Sequence, residues 1–410
     1  MNKRDVLFLC QYSYPEVNSS ATLPFDTAVS LAQSGRTVDV LCGWPKEYSK
    51  QSGVPARETV SGVRLHRLHY FQRSRVGKLG RLVNFCSFTA AVLLRLPSLR
   101  HYRCVMVYSN PPILPLACVL ANLLFGTKFV FVAYDVYPEV AYASGSLRQG
   151  GAISRAMARL NRQVFRRAAH VVALTEEMRQ FLLQNRPELD AERISVIPNW
   201  AHESPAKPDD DVRRRLGYGD DTFLVSYFGN MGVCQDTETM LDAMELLQQE
   251  EKIQLVIAGH GSKLPHVRQR AESLCNVQIL PYLTGEAFER IAAAGDCGIV
   301  SLERGLKGTC APSKYYSYLQ SGQSILAVVE PGSYLETEIR AEQIGETVAP
   351  GEGTELAAAL RAMERNRSAL RRMGARARAL YLRCYDQELA MKAYASILSQ
   401  IIDCQTEGET

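Results

Sequence analysis

Short apolar runs alternate with longer amphipathic segments through the first half of the chain. The segments with helical spacing include Pro24–Gly35, Pro115–Phe125 and Ile153–Ala168. Apolar strands that alternate with helices are typical of a parallel sheet covered on both faces. The strands predicted here are Asp5–Gln11, Thr37–Gly43, Val63–Leu68, Cys104–Ser109, Lys128–Asp135, His170–Thr175 and Ile194–Asn199.

The second half repeats this pattern after a polar, turn-rich linker predicted at Asn199–Arg215. Apolar runs that predict strands occupy 223–229, 254–259, 277–283, 297–302, 324–329 and 346–350. Helical segments such as Asp236–Gln249 and Pro265–Leu274 lie between them. The pattern predicts two Rossmann-like, doubly wound α/β domains, 1–200 and 201–385, that face a cleft. The helical segment 386–410 is expected to return to the first domain, and ligands are expected at the carboxyl ends of the strands.

Length and composition fit an ordinary globular protein with two domains. The chain has 410 residues, of which 46% are hydrophobic and 22% charged. Its eleven cysteines are scattered, so neither a zinc motif nor a disulfide framework is indicated. No apolar run has the length of a transmembrane helix, and the first run is interpreted as a strand rather than a signal peptide. A cytoplasmic location is expected.

The charge is distributed unevenly along the chain. No Asp or Glu occurs between Thr59 and Tyr134, whereas ten Lys and Arg residues fall in this stretch, nine of them at 64–103. The segment Gly80–Arg100 predicts a helix with an apolar centre and flanking arginines. Such a helix is suited to an anionic membrane surface at the inner face of the cell membrane, or it is a core helix whose arginines face solvent. No nucleic-acid recognition motif accompanies the charge, so nucleic acid is not an expected partner.

Three segments of the second half contain features of a phosphate-binding site. Two are predicted strands that end in glycine-rich turns, and the third is a loop that leads into a predicted helix. They are FLVSYFGNMG (Phe223–Gly232), QLVIAGHGS (Gln254–Ser262) and GTCAPSKYYSYLQSG (Gly308–Gly322). A strand that leads through glycines into a helix presents free backbone N–H groups and a partial positive charge. The segments therefore predict a ligand that carries a diphosphate.

Together with AYDVYPE (Ala133–Glu139) and VIPNW (Val196–Trp200), these segments give the chain a family resemblance. It resembles the glycosyltransferases of family four, which have the GT-B fold, and especially bacterial members that build capsule, O-antigen and exopolysaccharide. The resemblance implies transfer of a sugar from a nucleotide-sugar donor, with a UDP-sugar favoured. No metal motif appears and no cofactor is expected, because cationic side chains can stabilise the leaving diphosphate.

The resemblance assigns the donor to the second domain. Gly229 and Asn230 would approach the diphosphate, Gly259 and Gly261 would let backbone pass close to the nucleotide, and Lys263 would lie nearby. Leu280 and Tyr282 would face the base. Ser313 and Lys314 would open a helix at the diphosphate, with Lys314 as a catalytic residue that neutralises the leaving group.

The chain departs from the family pattern at four positions. Asn230 and Gln235 stand where many members carry Arg and Lys, and Thr309 and Ser317 replace a pair of glutamates with seven residues between them. Thr309 and Ser317 could still contact ribose or sugar hydroxyls. The positive charge would have to come from Lys314, Lys263, Arg304 or Lys307. These departures indicate either a divergent subgroup or an inactive relative.

In the first domain, Asp135 and Glu139 follow an apolar strand and are the candidates for binding acceptor hydroxyls or acting as a catalytic base. Asp135 could instead cap a helix. Asn18, Ser19 and Ser20 occupy the place of the family's glycine-rich loop. They could contact donor phosphate or acceptor, or form a helix cap before Pro24.

The sequence therefore predicts a glycosyltransferase that extends a lipid-linked saccharide in bacterial surface polysaccharide synthesis, with retention favoured. Two alternatives stay open. One is a non-hydrolysing UDP-sugar epimerase, and the other is a non-catalytic GT-B binding subunit. A dinucleotide oxidoreductase fits less well, because the full Gly-x-Gly-x-x-Gly fingerprint is missing.

Overall fold

A computed structural model describes residues 3–45, 53–73, 78–201, 210–283 and 286–403. The chain divides into two compact units. Unit 1 comprises the described parts of residues 1–199, 308–311 and 388–410, and unit 2 those of residues 200–307 and 312–387. Unit 1 thus includes two segments that follow most of unit 2 in the sequence.

Unit 1 is built on an eight-stranded sheet in the order β3-β4-β2-β1-β5-β6-β7-β8. All neighbouring strands are parallel except the antiparallel pair β3 and β4. The strand order reverses direction at β1, so the switch point lies between β1 and β5. The strands are β1 (Arg4–Leu9), β2 (Val38–Gly43), β3 (Arg57–Val60), β4 (Val63–Leu68), β5 (Tyr102–Tyr108), β6 (Lys128–Ala133), β7 (His170–Ala173) and β8 (Ile194–Val196).

Helices cover this sheet because each presents an apolar stripe to it. Phe88, Ala117 and Phe165 come from three different helices and join the buried core formed with residues of β1, β5 and β6. The helices are α1 (Ser19–Gln33), α2 (Lys78–Leu93), α3 (Pro115–Phe125), α4 (Glu139–Ala143), α5 (Ala152–Arg167) and α6 (Glu176–Asn185), with 3-10 turns at Leu96–His101 and Ala191–Arg193.

Unit 2 has a fully parallel six-stranded sheet in the order β11-β10-β9-β12-β13-β14. This is the doubly wound Rossmann order, with the switch point between β9 and β12. The strands are β9 (Phe223–Asn230), β10 (Ile253–His260), β11 (Val277–Leu280), β12 (Cys297–Ser301), β13 (Ser324–Val328) and β14 (Gly345–Val348).

The core of unit 2 joins the strand residues Val225, Ile257 and Ile299 to apolar residues of the covering helices. Those helices are α7 (Asp210–Arg215), α8 (Glu238–Leu246), α9 (Leu264–Ala271), α10 (Glu286–Ala294), α11 (Ser313–Ser321), α12 (Tyr334–Glu342), α13 (Gly353–Arg365) and α14 (Arg367–Leu380). A π-helical turn, Tyr381–Tyr385, follows α14, and α15 (Gln387–Asp403) ends the described chain.

Several predicted bounds were wrong. α1 begins at Ser19 and contains Pro24, the predicted first residue of this helix. The predicted helix Gly80–Arg100 is divided into α2 and a 3-10 turn. The strand β3 was not predicted, because its residues are exposed or half-buried and show no apolar alternation. Residues 202–209 of the predicted linker lie outside the described residues.

None of the described helices combines the length and the apolar character needed to cross a membrane.

Candidate functional site

In unit 2, the loops that follow β9 and β10 are held together by backbone hydrogen bonds. Gly259 pairs with Gly229 and His260 with Asn230 across the two strands. The Met231 N–H donates to the His260 carbonyl, and the Lys263 N–H donates to the Met231 carbonyl at 2.9 Å. Both glycine-rich turns therefore lie at the same edge of the sheet.

Glycine is required sterically at two positions of this edge. A Cβ atom on Gly259 would lie 1.9 Å from the Gly229 carbonyl oxygen. Gly261 has φ of +133°, and a Cβ there would lie 2.4 Å from the Met231 carbonyl oxygen. The two turns can therefore approach each other only without side chains at these positions.

We expect Gly259→Ala to destabilise the protein by about 2–3 kcal/mol, because the added methyl group must displace backbone rather than a flexible side chain. Urea unfolding would measure the change. Gly217→Ala is the matched control, since Gly217 has φ of +88° and a Cβ added there would meet no atom within 4 Å. Its cost should be only the conformational penalty of about 1 kcal/mol. Equal costs for both variants would contradict the steric explanation.

The helix α11 begins at this edge and brings Lys314 to the end of β9. Pro312 precedes the helix and has no side-chain group to cap it, so the first-turn N–H groups are suited to an anion. The Lys314 Nζ lies 3.8 Å from the centre of the Tyr227 ring and donates to the Asn230 carbonyl at 3.4 Å. An ammonium, helix N–H groups and a glycine turn thus meet in one place.

Lys314 is half-buried, and desolvation lowers the pKa of its ammonium to about 7. The face of the Tyr227 ring favours the charged form but does not offset the desolvation. Among the described residues, no carboxylate forms an ion pair with Lys314. An anionic ligand beside Nζ would restore the stability of the charged form.

Lys263 differs from Lys314 because its charge is already neutralised. Its Nζ forms an ion pair with the Glu303 carboxylate and donates to the Gln235 carbonyl at 2.7 Å. The Gln235 side chain accepts from the Gly232 N–H at 2.9 Å. The Glu303 carboxylate therefore orders this loop through Lys263.

The residues predicted to face a base lie at the carboxyl end of β11 and just after it. Leu280 is the last residue of β11, pairs with Ala258 and is half-buried. The Tyr282 ring is 37% exposed and packs edge to face against His260, with 4.7 Å between ring centres. An exposed aromatic ring beside the glycine loops can stack on a planar ligand group.

Thr309 and Ser317, whose positions the family pattern pairs, belong to different units. Ser317 is on α11, one helical turn after Ser313. Thr309 is buried in unit 1, where its carbonyl accepts from the Val136 N–H at 2.8 Å.

In unit 1, Asp135 stands just beyond the carboxyl end of β6. Its N–H donates to the Ser109 Oγ at 2.9 Å, and it forms an isolated antiparallel bridge with Cys310. Asp135 also lines a cavity of about 10 Å³ with Ser109 and Asn161, close to the smallest space that holds one water molecule. Desolvation raises the pKa of the Asp135 carboxyl to about 6. A carboxyl with this pKa can exchange a proton near neutral pH.

Glu139, in contrast, is fully engaged. It begins α4, and the Arg186 guanidinium donates to both of its carboxylate oxygens at 2.7 Å. Arg186 also donates to the Tyr137 carbonyl at 3.3 Å. The ion pair orders the segment after Asp135 and occupies both oxygens of the Glu139 carboxylate.

The first half of the chain also matches a described family. Residues 25–200 match the model named Glycosyl transferase 4-like domain. This segment is thus similar to glycosyl transferase 4-like domains. The predicted resemblance to family four is confirmed.

Two relatives of the chain are also named glycosyltransferases. The probable glycosyltransferase WbjE of Pseudomonas aeruginosa is 28% identical over 258 residues, 62% of this chain and 64% of that protein. The putative colanic acid biosynthesis glycosyl transferase WcaI of Escherichia coli K12 is 24% identical over 269 residues, 63% of this chain and 65% of the relative. The matches span less than two thirds of either relative's own length.

Solved structures agree in fold with the chain. Sucrose-phosphate synthase from Thermosynechococcus elongatus superimposes with a TM-score of 0.76 at 15% identity, covering 98% of this chain and 100% of that one. Anabaena Alr3699/HepE, solved with UDP and glucose, gives 0.67 at 17% identity, with 97% and 100% coverage. The predicted GT-B fold is confirmed.

The loop predicted to contact donor or acceptor lies at the start of α1 in unit 1. Asn18 is the N-cap residue, and its carbonyl accepts from the N–H groups of Ala21 and Thr22. Its side-chain amide makes no cap hydrogen bond, and both amide atoms are buried. Ser19 is exposed and Ser20 half-buried at the first turn. Their assignment to ligand contact stays a prediction.

Three residues that support the candidate sites were not predicted from the sequence. Tyr227 supports Lys314, Ser109 holds Asp135, and Arg186 pairs with Glu139. Tyr227 and Ser109 lie near strand ends, which was a usable signal, whereas nothing in the sequence links Arg186 to Glu139. Within the described residues, no group of three or more His, Cys, Asp or Glu side chains is arranged to hold a metal ion.

Proposed function

We propose that this GT4-like chain is a glycosyltransferase that moves a sugar from a UDP-sugar to a hydroxyl of a lipid-linked saccharide. The observation that carries the proposal is the position of Lys314 at the start of α11, beside the glycine turns after β9 and β10. WcaI is named for colanic acid biosynthesis, which supports a role in bacterial surface polysaccharide synthesis.

The diphosphate of the donor is placed against Gly229 and the first turn of α11. Breaking the bond between the sugar and the nucleoside diphosphate leaves negative charge on phosphate oxygens. Fixed N–H donors and the Lys314 ammonium stabilise that charge as it develops, which lowers the barrier more than it strengthens ground-state binding. Lys263 contributes less, because Glu303 already compensates its charge.

The nucleoside is placed toward Leu280 and Tyr282, where an exposed aromatic ring and a strand end are available. Uridine is the proposed base, since HepE was solved in complex with UDP. Ser313 and Ser317, one turn apart on α11, supply hydroxyls near the phosphate and sugar. Thr309, predicted with them, lies in unit 1 and has no assigned role in this proposal.

The acceptor hydroxyl is assigned to Asp135. The proposal includes retention of configuration, with the departing phosphate accepting the proton of the acceptor hydroxyl and Asp135 orienting that hydroxyl. A carboxylate is required for this role, so Asp135 must be ionised, which its pKa of about 6 permits at neutral pH.

The affinity for a UDP-sugar is expected to depend on the ionisation of Lys314. Below the free-state pKa of about 7 the ammonium is already charged, so affinity should be constant there. Above it, binding must take up a proton, and affinity should fall by up to about tenfold per pH unit. Calorimetry with a UDP-sugar, whose diphosphate diester keeps its charge in this range, measures the slope.

The matched control is Lys314→Arg, because a guanidinium stays charged across this pH range. Its affinity should be independent of pH between about 6 and 9. The same slope in both proteins would contradict the assignment to Lys314.

The transfer activity is tested with a panel of nucleotide sugars and a lipid-linked saccharide acceptor, with products identified by mass spectrometry. Release of UDP that depends on the acceptor, with a product heavier by one sugar, is the expected result. Acceptor-independent conversion of one UDP-sugar would instead support an epimerase. UDP binding without any product in the panel would support a non-catalytic subunit, an alternative favoured by the absence of positive charge at Asn230 and Gln235.

A further inference from the structure

Unit 1 carries a concentration of exposed apolar side chains. Of the twelve large apolar residues that are exposed in the described chain, six fall between positions 71 and 124. We call these six the apolar face; they are Phe71, Leu79, Leu82, Leu94, Leu123 and Leu124, with exposed fractions from 52% to 84%. Concentrations of this kind mark interaction surfaces.

The helix α2 is apolar on two opposite sides. Phe88 and Val92 are buried in the core of unit 1, whereas Leu82, Cys86 and Ala90 are exposed. Residues two positions apart on a helix point in nearly opposite directions, because each residue turns the helix by about 100°. The exposed stripe therefore faces away from the core, and the described part of unit 1 leaves it uncovered.

Phe71 is fixed in place although its side chain is 78% exposed. The Ser87 Oγ donates to the Phe71 carbonyl at 3.1 Å. The Arg73 N–H donates to the Asn84 Oδ1 at 2.7 Å, and the Asn84 Nδ2 donates back to the Arg73 carbonyl at 2.9 Å. Three hydrogen bonds thus tie the backbone around an exposed ring to α2.

The helix α3 extends the same surface. It packs against α2 and against the 3-10 turn Leu96–His101, and its last turn exposes Leu123 and Leu124. The exposed leucines of two helices and Phe71 are therefore parts of one region of unit 1.

The basic stretch 64–103 contributes fewer available charges than its composition indicates. Residues 74–77, including Arg75, lie outside the described residues. Three arginines of the stretch are engaged in ion pairs, namely Arg64 with Asp39, Arg67 with Glu58 and Arg103 with Asp5. These pairs stabilise unit 1 and neutralise the three arginines.

The available charge lies next to the apolar face. Among the described residues, Arg81, Arg95 and Arg100 form no ion pair, and Arg95 and Arg100 are exposed. Arg81 and Arg95 bracket the exposed stripe of α2, and Arg100 lies in the 3-10 turn against which α3 packs. Exposed leucines beside unpaired arginines, in a stretch without Asp or Glu, complement an anionic lipid surface.

We propose that the apolar face inserts into an anionic phospholipid membrane, with Arg81, Arg95 and Arg100 at the level of the headgroups. The inference deepens the proposed function, because it names the surface on which a lipid-linked acceptor would be met. Insertion buries Phe71 and leucine side chains in the boundary between headgroups and acyl chains, and the arginines add attraction to anionic lipid.

Vesicle co-sedimentation tests the inference. The full chain should bind vesicles of phosphatidylethanolamine with phosphatidylglycerol and bind phosphatidylcholine vesicles far more weakly, with binding reduced by added salt. Phe71→Ser with Leu82→Gln should lower vesicle affinity by about a hundredfold, since each change removes one inserted side chain. Leu246→Gln with Leu382→Gln is the matched control, because both leucines are about half-exposed in unit 2, and it should leave affinity unchanged.

Phe71→Trp supplies a probe of insertion that does not depend on loss of binding. Its fluorescence should shift to shorter wavelength with anionic vesicles and be quenched by brominated acyl chains, whereas purely electrostatic binding would leave it unchanged. UDP binding by calorimetry should be normal in every variant, so failure at the membrane is distinguished from failure of the donor site.

Two outcomes would overturn the inference. Equal vesicle affinity of the Phe71→Ser, Leu82→Gln protein and its control would exclude the apolar face as the docking surface. A self-associated wild type that ignores vesicles, and that becomes monomeric in this double variant, would assign the face to a second copy of the chain.

Discussion

Replacement of Lys314 by alanine is expected to lower the turnover of sugar transfer at least about a hundredfold. In the proposed reaction, the Lys314 ammonium is the principal side-chain cation near the leaving diphosphate, because Glu303 compensates Lys263. Removing one preorganised donor to a developing anion typically costs about 3–4 kcal/mol. Initial rates at saturating UDP-sugar and acceptor measure the effect.

The controls separate charge from packing. Lys314→Met keeps an unbranched stem against Tyr227 and should lose as much turnover as the alanine variant. It should also be at least as stable to heat as the wild type, because burial of the ammonium is unfavourable. Lys263→Met should reduce turnover less. Near-normal turnover of Lys314→Ala would contradict the phosphate role.

Much of the fold could be predicted because parallel strands buried on both faces leave a simple signal. Every residue of β2, β12 and β13 is buried. β12 and β13 are continuous apolar or small-residue runs in the sequence, and β2 is interrupted only by Asp39. β3 lacks that signal, since Arg57 and Thr59 are exposed and the strand is held by its pairing with β4.

Two helix starts have a signal in the sequence that the prediction does not use. Thr175 is the last residue of a predicted strand, yet its side chain accepts from the Met178 N–H and caps α6. Two glutamates follow it in the first turn, which is typical of a helix start. For α1, the predicted start is Pro24, whereas the helix already begins at Ser19.

The candidate donor site was partly predictable for a topological reason. Strands that neighbour each other in a parallel sheet end at one edge, so Gly229 and Gly259 had to lie together once their strands were recognised. The partners of charged side chains were not predictable. Lys263 and Glu303 are 40 residues apart, and Glu139 and Arg186 are 47 apart, and no local pattern links either pair.

Replacement of Asp135 by asparagine is expected to lower acceptor-dependent transfer about a hundredfold or more while UDP-sugar binding stays unchanged. Asparagine has nearly the shape of a protonated aspartic acid, so the variant keeps the contact of the Asp135 N–H with Ser109 and loses the carboxylate. Misplacement of a reacting hydroxyl by about 1 Å can lower the rate about a hundredfold. Transfer rates and calorimetric UDP-sugar affinity, measured in parallel, separate the acceptor role from donor binding.

The pH dependence gives a second measurement of the same residue. Because the pKa of Asp135 is raised to about 6, wild-type transfer should fall as the pH is lowered through 6, and the asparagine variant should lack this step. The same substitution should increase the stability of the protein, although it lowers the rate of transfer. A carboxyl whose folded-state pKa is raised is unfavourable to the fold when it is ionised, so Asp135→Asn should raise the thermal midpoint above pH 6. The gain should disappear below about pH 4, where the carboxyl is protonated in both states. If the variant transfers sugar at the wild-type rate, or if both proteins share one pH profile, the acceptor hydroxyl is bound elsewhere.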